Sequence, residues 1–180
     1  MIPTWLPPWL SGDLSLISGF LTWIVVLYWL WRSGWKIQRR YFIEATQKPL
    51  TRNAIVWSAG IVGAIFFVAA QMRPGMPGVM TVAMIGALSA YVDARTHRLP
   101  NAYTVAMAIG VVLGLAVGGV ISPLWQERLF GALIGALIWF VPIALLNRLP
   151  GGMGGGDVKL APVLGAMVGS VSLHATVFAL

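Results

Sequence analysis

Cysteine is absent from the 180-residue sequence, which excludes disulfide bonds, thiol catalysis and zinc sites built on cysteine ligands. Charge is also scarce, because charged residues make up only 9% of the chain while hydrophobic residues make up 58%. Water-soluble domains carry about a quarter of their residues as charged ones, so this composition excludes that class. Together with a mean hydropathy of +0.83, it predicts an all-α fold, a polytopic transmembrane helical bundle.

Acidic residues are the scarcest charged type, with five Asp and Glu against twelve Lys and Arg and a net charge of +7. In a soluble protein such an excess would suggest a nucleic-acid partner. In a membrane protein the loops that face the cytoplasm are expected to carry an excess of Lys and Arg, so no nucleic-acid partner is predicted. The two histidines, His97 and His174, are not at ligand spacing, and no metal site is expected.

About six apolar runs are predicted to cross a membrane, and they cover residues 14–31, 54–70, 79–92, 102–121, 129–146 and 160–180. The last run is interrupted by Gly165 and Gly169, which predicts either one kinked helix or a short helix followed by the start of another. This apolar run reaches the final residue, and we expect either a truncated sequence or an abrupt C-terminus. We divide the chain into residues 1–53, with an interfacial N-terminal segment, the first span and a basic loop, and a membrane core, residues 54–180.

Cations are distributed unequally between the two sides of the membrane. Ten of the twelve fall in the loops after the first, third and fifth spans, leaving Arg73 and Arg128 on the other side. Since Lys and Arg collect on the cytoplasmic side, we expect the N-terminus outside and those three loops in the cytoplasm. In the first loop, residues 35–47 are predicted to form an amphipathic helix lying on anionic lipids. The single acid of that loop, Glu44, is expected in a solvated salt bridge.

Small residues recur at a spacing of four in two of the spans. Gly110 and Gly114 lie in the fourth span, and Gly131 and Gly135 lie in the fifth. This spacing lets helix backbones come close together inside a membrane. We therefore expect the fourth and fifth helices to approach closely.

Two of the five acids, Asp93 and Asp157, lie where an apolar span meets the predicted cytoplasmic face. They are 64 residues apart in sequence, yet the topology places both at the same membrane depth. If their helices are neighbours, the two carboxyl groups share one partly desolvated site and hold one proton between them. Such a pair can take a proton from water and donate one to a peptide carbonyl oxygen, as in aspartic proteases. After Asp93, Pro100 and Asn101 are predicted to end one helix and begin the next.

The stretch before Asp157 is rich in glycine. Gly154, Gly155 and Gly156 would let an extended substrate backbone come close to the Asp157 carboxylate. The run is not a nucleotide-binding loop, because the residues on either side of Lys159 do not match that motif. No cofactor is therefore predicted.

Each acid taken alone has a simpler interpretation. Asp93 and Asp157 are also compatible with helix caps, or with ion pairs to Arg95 and Lys159 respectively. Lys159 is expected either to keep one carboxylate ionised or to contact a lipid phosphate.

Two motifs resemble those of the type IV prepilin peptidases. Residues 93–101, DARTHRLPN, are similar to the first motif of that family, an aspartate followed by a short polar stretch and a Leu-Pro-Asn ending. Residues 154–160, GGGDVKL, are similar to the second, G-x-G-D-x-K-L, and Gly165 and Ala166 match the small residues that usually follow. The resemblance covers about residues 79–170.

The resemblance implies an intramembrane aspartyl endopeptidase of the bacterial cytoplasmic membrane, with Asp93 and Asp157 as the catalytic pair. Its substrates would be type IV prepilins or pseudopilins, cut at the cytoplasmic face after a short basic leader. Larger members also methylate the new N-terminus and carry paired cysteines between their first two spans. The corresponding loop here, residues 32–53, contains no cysteine, so methylation is not predicted.

Two other functions remain open from the sequence. The first is a non-catalytic membrane component that binds pilin-like helices; it would tolerate loss of an aspartate. The second is a proton-coupled transporter, which would hold its acids near the bilayer midplane or on broken helices. The oligomeric state is not predicted.

Overall fold

The computed structural model describes residues 8–70, 75–149 and 154–179. Within these ranges every regular element is a helix, which confirms the all-α class. The helices are α1 Pro8–Trp29, α2 Trp35–Glu44, α3 Arg52–Ala69, α4 Met76–Thr96, α5 Asn101–Ile121, α6 Trp125–Leu146, α7 Gly155–Gly169 and α8 Leu173–Phe178. Most of the predicted N-terminal interfacial segment lies outside the described residues, as do residues 71–74, 150–153 and 180.

Five helices of the described chain are long and apolar enough to cross a membrane. They are the joined α1 and α2, followed by α3, α4, α5 and α6. The predicted sixth span is a shorter helix, α7, of 15 residues, followed by the six-residue α8. Ser172 separates the two, since its extended backbone begins α8 and its hydroxyl accepts a hydrogen bond from the Ala175 N–H at 3.3 Å. Of the two predicted forms of this run, the structure therefore has the short helix followed by another.

α2 continues α1 through one π-helical turn, Leu30–Gly34. The continuous helix Gly12–Glu44 has 33 residues, so it is about 50 Å long and exceeds a hydrocarbon core of about 30 Å. At the π turn, the buried Tyr103 hydroxyl donates a hydrogen bond to the Gly34 carbonyl oxygen at 2.8 Å. The helix predicted at 35–47 is thus present as an extension of α1 that is tied to the start of α5.

α4 is the central helix of the bundle. In its apolar stretch 61% of the residues are buried, against 33% or less in the other four spans. Its neighbours are α1, α3 and α5, and it also touches α2 and α7. The side chains of Met76, Met80 and Met84 are fully buried along it. The helix whose last turn contains Asp93 is therefore the most enclosed of the five spans in the described chain.

Glycines bring α5 close to α4 and α6 close to α7. A Cβ on Gly114 would lie 2.8 Å from the Gly78 nitrogen of α4. A Cβ on Gly135 would overlap the Gly165 carbonyl oxygen of α7. Close approach at these glycines is confirmed. The expected contact of α5 with α6 is wrong, because those two helices contact each other much less than α5 contacts α4 or α6 contacts α7.

The partners differ because close approach needs small residues on both helices. α7 offers Gly165 and Gly169 to the two glycines of α6. α4 offers Gly78 to Gly114, and its Thr81 side chain covers Gly110.

Candidate active site

Asp93 and Asp157 line one cleft, with a volume of about 510 Å³. Asp93 lies in the last turn of α4 and Asp157 in the first turn of α7. Both side chains are half-buried. The fold therefore brings together two carboxyl groups that are 64 residues apart in the sequence.

The other predicted site residues lie around this pair, with one exception. Asn101, Lys159 and the glycines Gly154, Gly155 and Gly156 all line the cleft. Pro100 does not. It is buried at the start of α5, where its carbonyl oxygen accepts from the Tyr103 N–H at 3.0 Å, so it acts by beginning that helix.

The way α4 ends determines the position of Asp93. His97 takes up a left-handed conformation with φ 51°, and its N–H donates to the Asp93 carbonyl oxygen at 2.7 Å. A non-glycine residue seldom adopts this conformation, and here it turns the chain out of the helix one residue after Thr96. Asp93 is therefore held in a final helical turn that opens into the cleft.

The start of α7 places Asp157. Gly154 has an extended backbone and precedes the helix, and its carbonyl oxygen accepts from the Asp157 N–H at 3.1 Å. No side chain caps this helix start, so the interpretation of Asp157 as a cap is not supported. Asp157 lies at the positive end of the α7 dipole, whereas Asp93 lies at the negative end of the α4 dipole.

The ion pairs that offered a simpler interpretation are not observed among the described residues. Arg95 has its guanidinium over the Tyr91 ring, 5.8 Å from the centroid. Lys159 Nζ donates a hydrogen bond to Asn101 Oδ1 at 3.0 Å. Lys159, two residues after Asp157, thus contacts a neutral side chain at the start of α5 and not a carboxylate.

Gly156 is the glycine at which the two halves of the site touch. A Cβ there would lie 2.8 Å from the Leu99 Cβ, which is too close for any other residue without a shift. Gly155 faces open space, with nothing within 4 Å of a Cβ. Close packing therefore requires glycine at position 156 but not at 155.

α2 supplies a wall of the cleft that sequence reasoning missed. Arg40, Tyr41 and Glu44 line it. Glu44 forms the expected exposed salt bridge with Arg40, at 2.8 Å, and a second one with Arg98 at 3.2 Å. The available signal was the absence of proline between Pro8 and Pro49, which lets α1 and α2 continue as one helix past the membrane span towards the α4–α5 connection.

A second contact joins the segment after α2 to the end of α4. Gln47 Nε2 donates to the Arg95 carbonyl oxygen at 2.7 Å. The cleft therefore has α2 on one side of the α4–α5 connection and α7 on the other.

Among the described residues, no three His, Cys, Asp or Glu side chains form a group able to hold a metal ion.

Comparison with known proteins gives one family and one curated relative. The model of the type IV leader peptidase family matches residues 79–180. A prepilin leader peptidase/N-methyltransferase of Bacillus subtilis (strain 168) is 34% identical over 128 residues, which is 67% of this chain and 48% of that protein. The chain thus spans about half the length of the curated relative it matches. No solved structure matches significantly.

Proposed function

The chain belongs to the type IV leader peptidase family, and from this we propose that it is an intramembrane aspartic endopeptidase that removes the leader of type IV prepilins or pseudopilins. Asp93 and Asp157 are its catalytic pair. The observation that carries the proposal is the single cleft lined by both carboxyl groups. Both residues also lie inside the range that the family model matches.

In the proposed reaction a water molecule lies between the two carboxyl groups, which together hold one proton. The ionised member takes a proton from the water, and the water oxygen bonds to the carbon of the scissile peptide. The neutral member donates its proton to the peptide carbonyl oxygen. The intermediate then collapses with rupture of the C–N bond, and the leaving nitrogen receives a proton from the pair.

The glycines beside Asp157 support binding of an extended substrate. Gly154 and Gly155 are exposed at the cleft, and no atom lies near a Cβ of Gly155. A peptide backbone can therefore approach Asp157 from this side without meeting a side chain. The substrate helix would stay in the lipid while its leader lies among the polar residues of the cleft.

We place the protein as a multi-pass protein of the bacterial cytoplasmic membrane with the cleft on the cytoplasmic side. The distribution of cations supports this, because the loops around the cleft hold most of the Lys and Arg residues. On α2, the Arg39 guanidinium lies over the Trp35 ring at 5.8 Å. Such a basic and aromatic face suits contact with anionic lipid at the interface.

The test is cleavage of a co-expressed prepilin by Asp93→Asn and Asp157→Asn variants. Each substitution keeps the size of the side chain and removes the carboxyl group, so we expect cleavage to be lost in both. Asp13→Asn is the matched control, because Asp13 is an exposed acid at the other end of the bundle. Unimpaired cleavage by either variant of the pair would contradict the proposal and would favour a non-catalytic membrane component.

A further inference from the structure

Asp93 and Asp157 belong to two different helical hairpins. α4 and α5 pack closely and carry Asp93, whereas α6 and α7 pack closely and carry Asp157. Direct contact between α4 and α7 is slight. α7 also packs on the first hairpin away from the cleft, against α5 and through Val163, Leu164 and Met167. At the cleft itself, the separation of the two carboxyl groups depends on the contacts that join the hairpins there.

The described residues show two such contacts between the α4–α5 connection and the first turn of α7. One is steric, since Gly156 lies against Leu99 as closely as a glycine allows. The other is polar, the 3.0 Å hydrogen bond from Lys159 Nζ to Asn101 Oδ1. The first prevents the hairpins from coming closer, and the second opposes their separation.

We propose that Lys159 is a positioning residue that holds the Asp157 segment at its distance from the Asp93 segment through the hydrogen bond to Asn101. The proposal rests on the proposed function and adds to it a role for a residue outside the carboxyl pair. Lys159 is two residues from Asp157 on α7, and Asn101 is the first residue of α5. The bond therefore joins the two site segments directly.

The alternative role of Lys159 is electrostatic, through its charge on the nearby carboxyl groups. The two roles differ in what they require of Asn101. Positioning needs the Asn101 acceptor, whereas an effect of charge needs only the ammonium group. Asn101→Leu removes the acceptor and leaves the ammonium in place.

The experiment measures prepilin cleavage by the purified full chain in lipid, with Lys159→Met, Asn101→Leu and the double variant. We expect each single variant to lower kcat about tenfold with little change in KM, because small displacements of reacting groups cost rate. The double variant should be no slower than the single ones, and the pH profile of Asn101→Leu should keep its wild-type shape. Lys48→Met is the matched control, since Lys48 is exposed and does not line the cleft.

A covalent link provides the rescue. Because the chain has no cysteine, Asn101→Cys with Lys159→Cys can be joined selectively by a short, reducible bis-thiosulfonate linker. We expect cleavage to recover on linking and to fall again on reduction. A neutral linker replaces the tie between the hairpins but not the charge of the ammonium group.

A distance measurement gives a readout that does not depend on activity. Spin labels at Ala102 and Val158 report the separation of the two segments. We expect a narrow distribution in the wild type and in Lys48→Met, and a broader one in Lys159→Met and Asn101→Leu.

Wild-type cleavage by Asn101→Leu together with a shifted pH profile for Lys159→Met would overturn the positioning role, as would unchanged label distances in both variants. If the wild-type chain cleaves no prepilin, but Lys159→Met and Asn101→Leu still broaden the label distances, the result would count against the proposed function alone.

Discussion

At the scale of the residue, the glycines just before Asp157 have different roles. Gly156 is where the two hairpins meet, because a Cβ there would lie 2.8 Å from the Leu99 Cβ. Gly155, one residue earlier, faces open space. The first glycine serves packing between the hairpins, and the second leaves the approach to the carboxylate open.

Gly156→Ala should therefore slow prepilin cleavage strongly, by at least about tenfold, since the added methyl group pushes the Leu99 segment away from Asp157. Gly155→Ala is the neighbouring control for stability, because nothing lies within 4 Å of a Cβ there, and it should leave the protein as stable as the wild type or slightly more stable. Cleavage rate and thermal unfolding are measured on both purified variants. Cleavage by Gly156→Ala at the wild-type rate would argue against the contact with Leu99 as a determinant of the site.

At the scale of the element, the crossing of α6 and α7 fixes the helix that carries Asp157. The backbones of the two helices touch at Gly131, Gly135, Gly165 and Gly169. Because α7 has only 15 residues, this crossing is its principal anchor in the bundle. The position of Asp157 in the membrane thus depends on residues two turns and more away along the helix.

Gly135→Ala should destabilise the bundle by about 1–3 kcal/mol, because the new Cβ overlaps the Gly165 carbonyl oxygen and forces the helices apart. Gly119→Ala on α5 is the control, since nothing lies within 4 Å of a Cβ there. The free energy of unfolding in mixed micelles is compared for the two. A loss of the same size in both variants would show that the cost is not specific to the crossing.

At the scale of the whole molecule, the proposed orientation puts the cleft in the cytoplasm. Lys48, between α2 and α3, and Gln126, at the start of α6, are both exposed and lie at opposite ends of the bundle by the topology. In a chain without cysteine, each can be replaced by a unique thiol.

A membrane-impermeant maleimide should label Gln126→Cys from outside intact cells and label Lys48→Cys only in inside-out vesicles. The reverse pattern would place the N-terminus and the cleft on the sides opposite to those proposed. Labelling after detergent solubilisation, which should modify both variants, serves as the control for reactivity.

Much of the architecture was available from local patterns. The membrane class follows from composition, because so much apolar surface needs lipid around it. The helices near 54–70, 102–121 and 129–146 agree closely with α3, α5 and α6. Long apolar runs bounded by polar turns are visible in sequence since each span satisfies its own backbone hydrogen bonds.

Contacts between helices were less accessible. Gly110 and Gly135 were correctly marked as points of close approach, but their partners on α4 and α7 depend on which surfaces match in shape. The contribution of Arg40 and Glu44 to the cleft was missed, because it depends on the length and direction of the joined α1 and α2.

The sequence by itself determined that this is a helical membrane protein and that two acids stand where apolar spans end. These properties depend on hydropathy and charge along the chain, which are local. Only the tertiary structure decided that Asp93 and Asp157 face one cleft, that α2 walls it, and that Lys159 contacts Asn101 and not a carboxylate. These depend on how helices far apart in sequence pack side by side, and in lipid that packing is set by the fit of their surfaces.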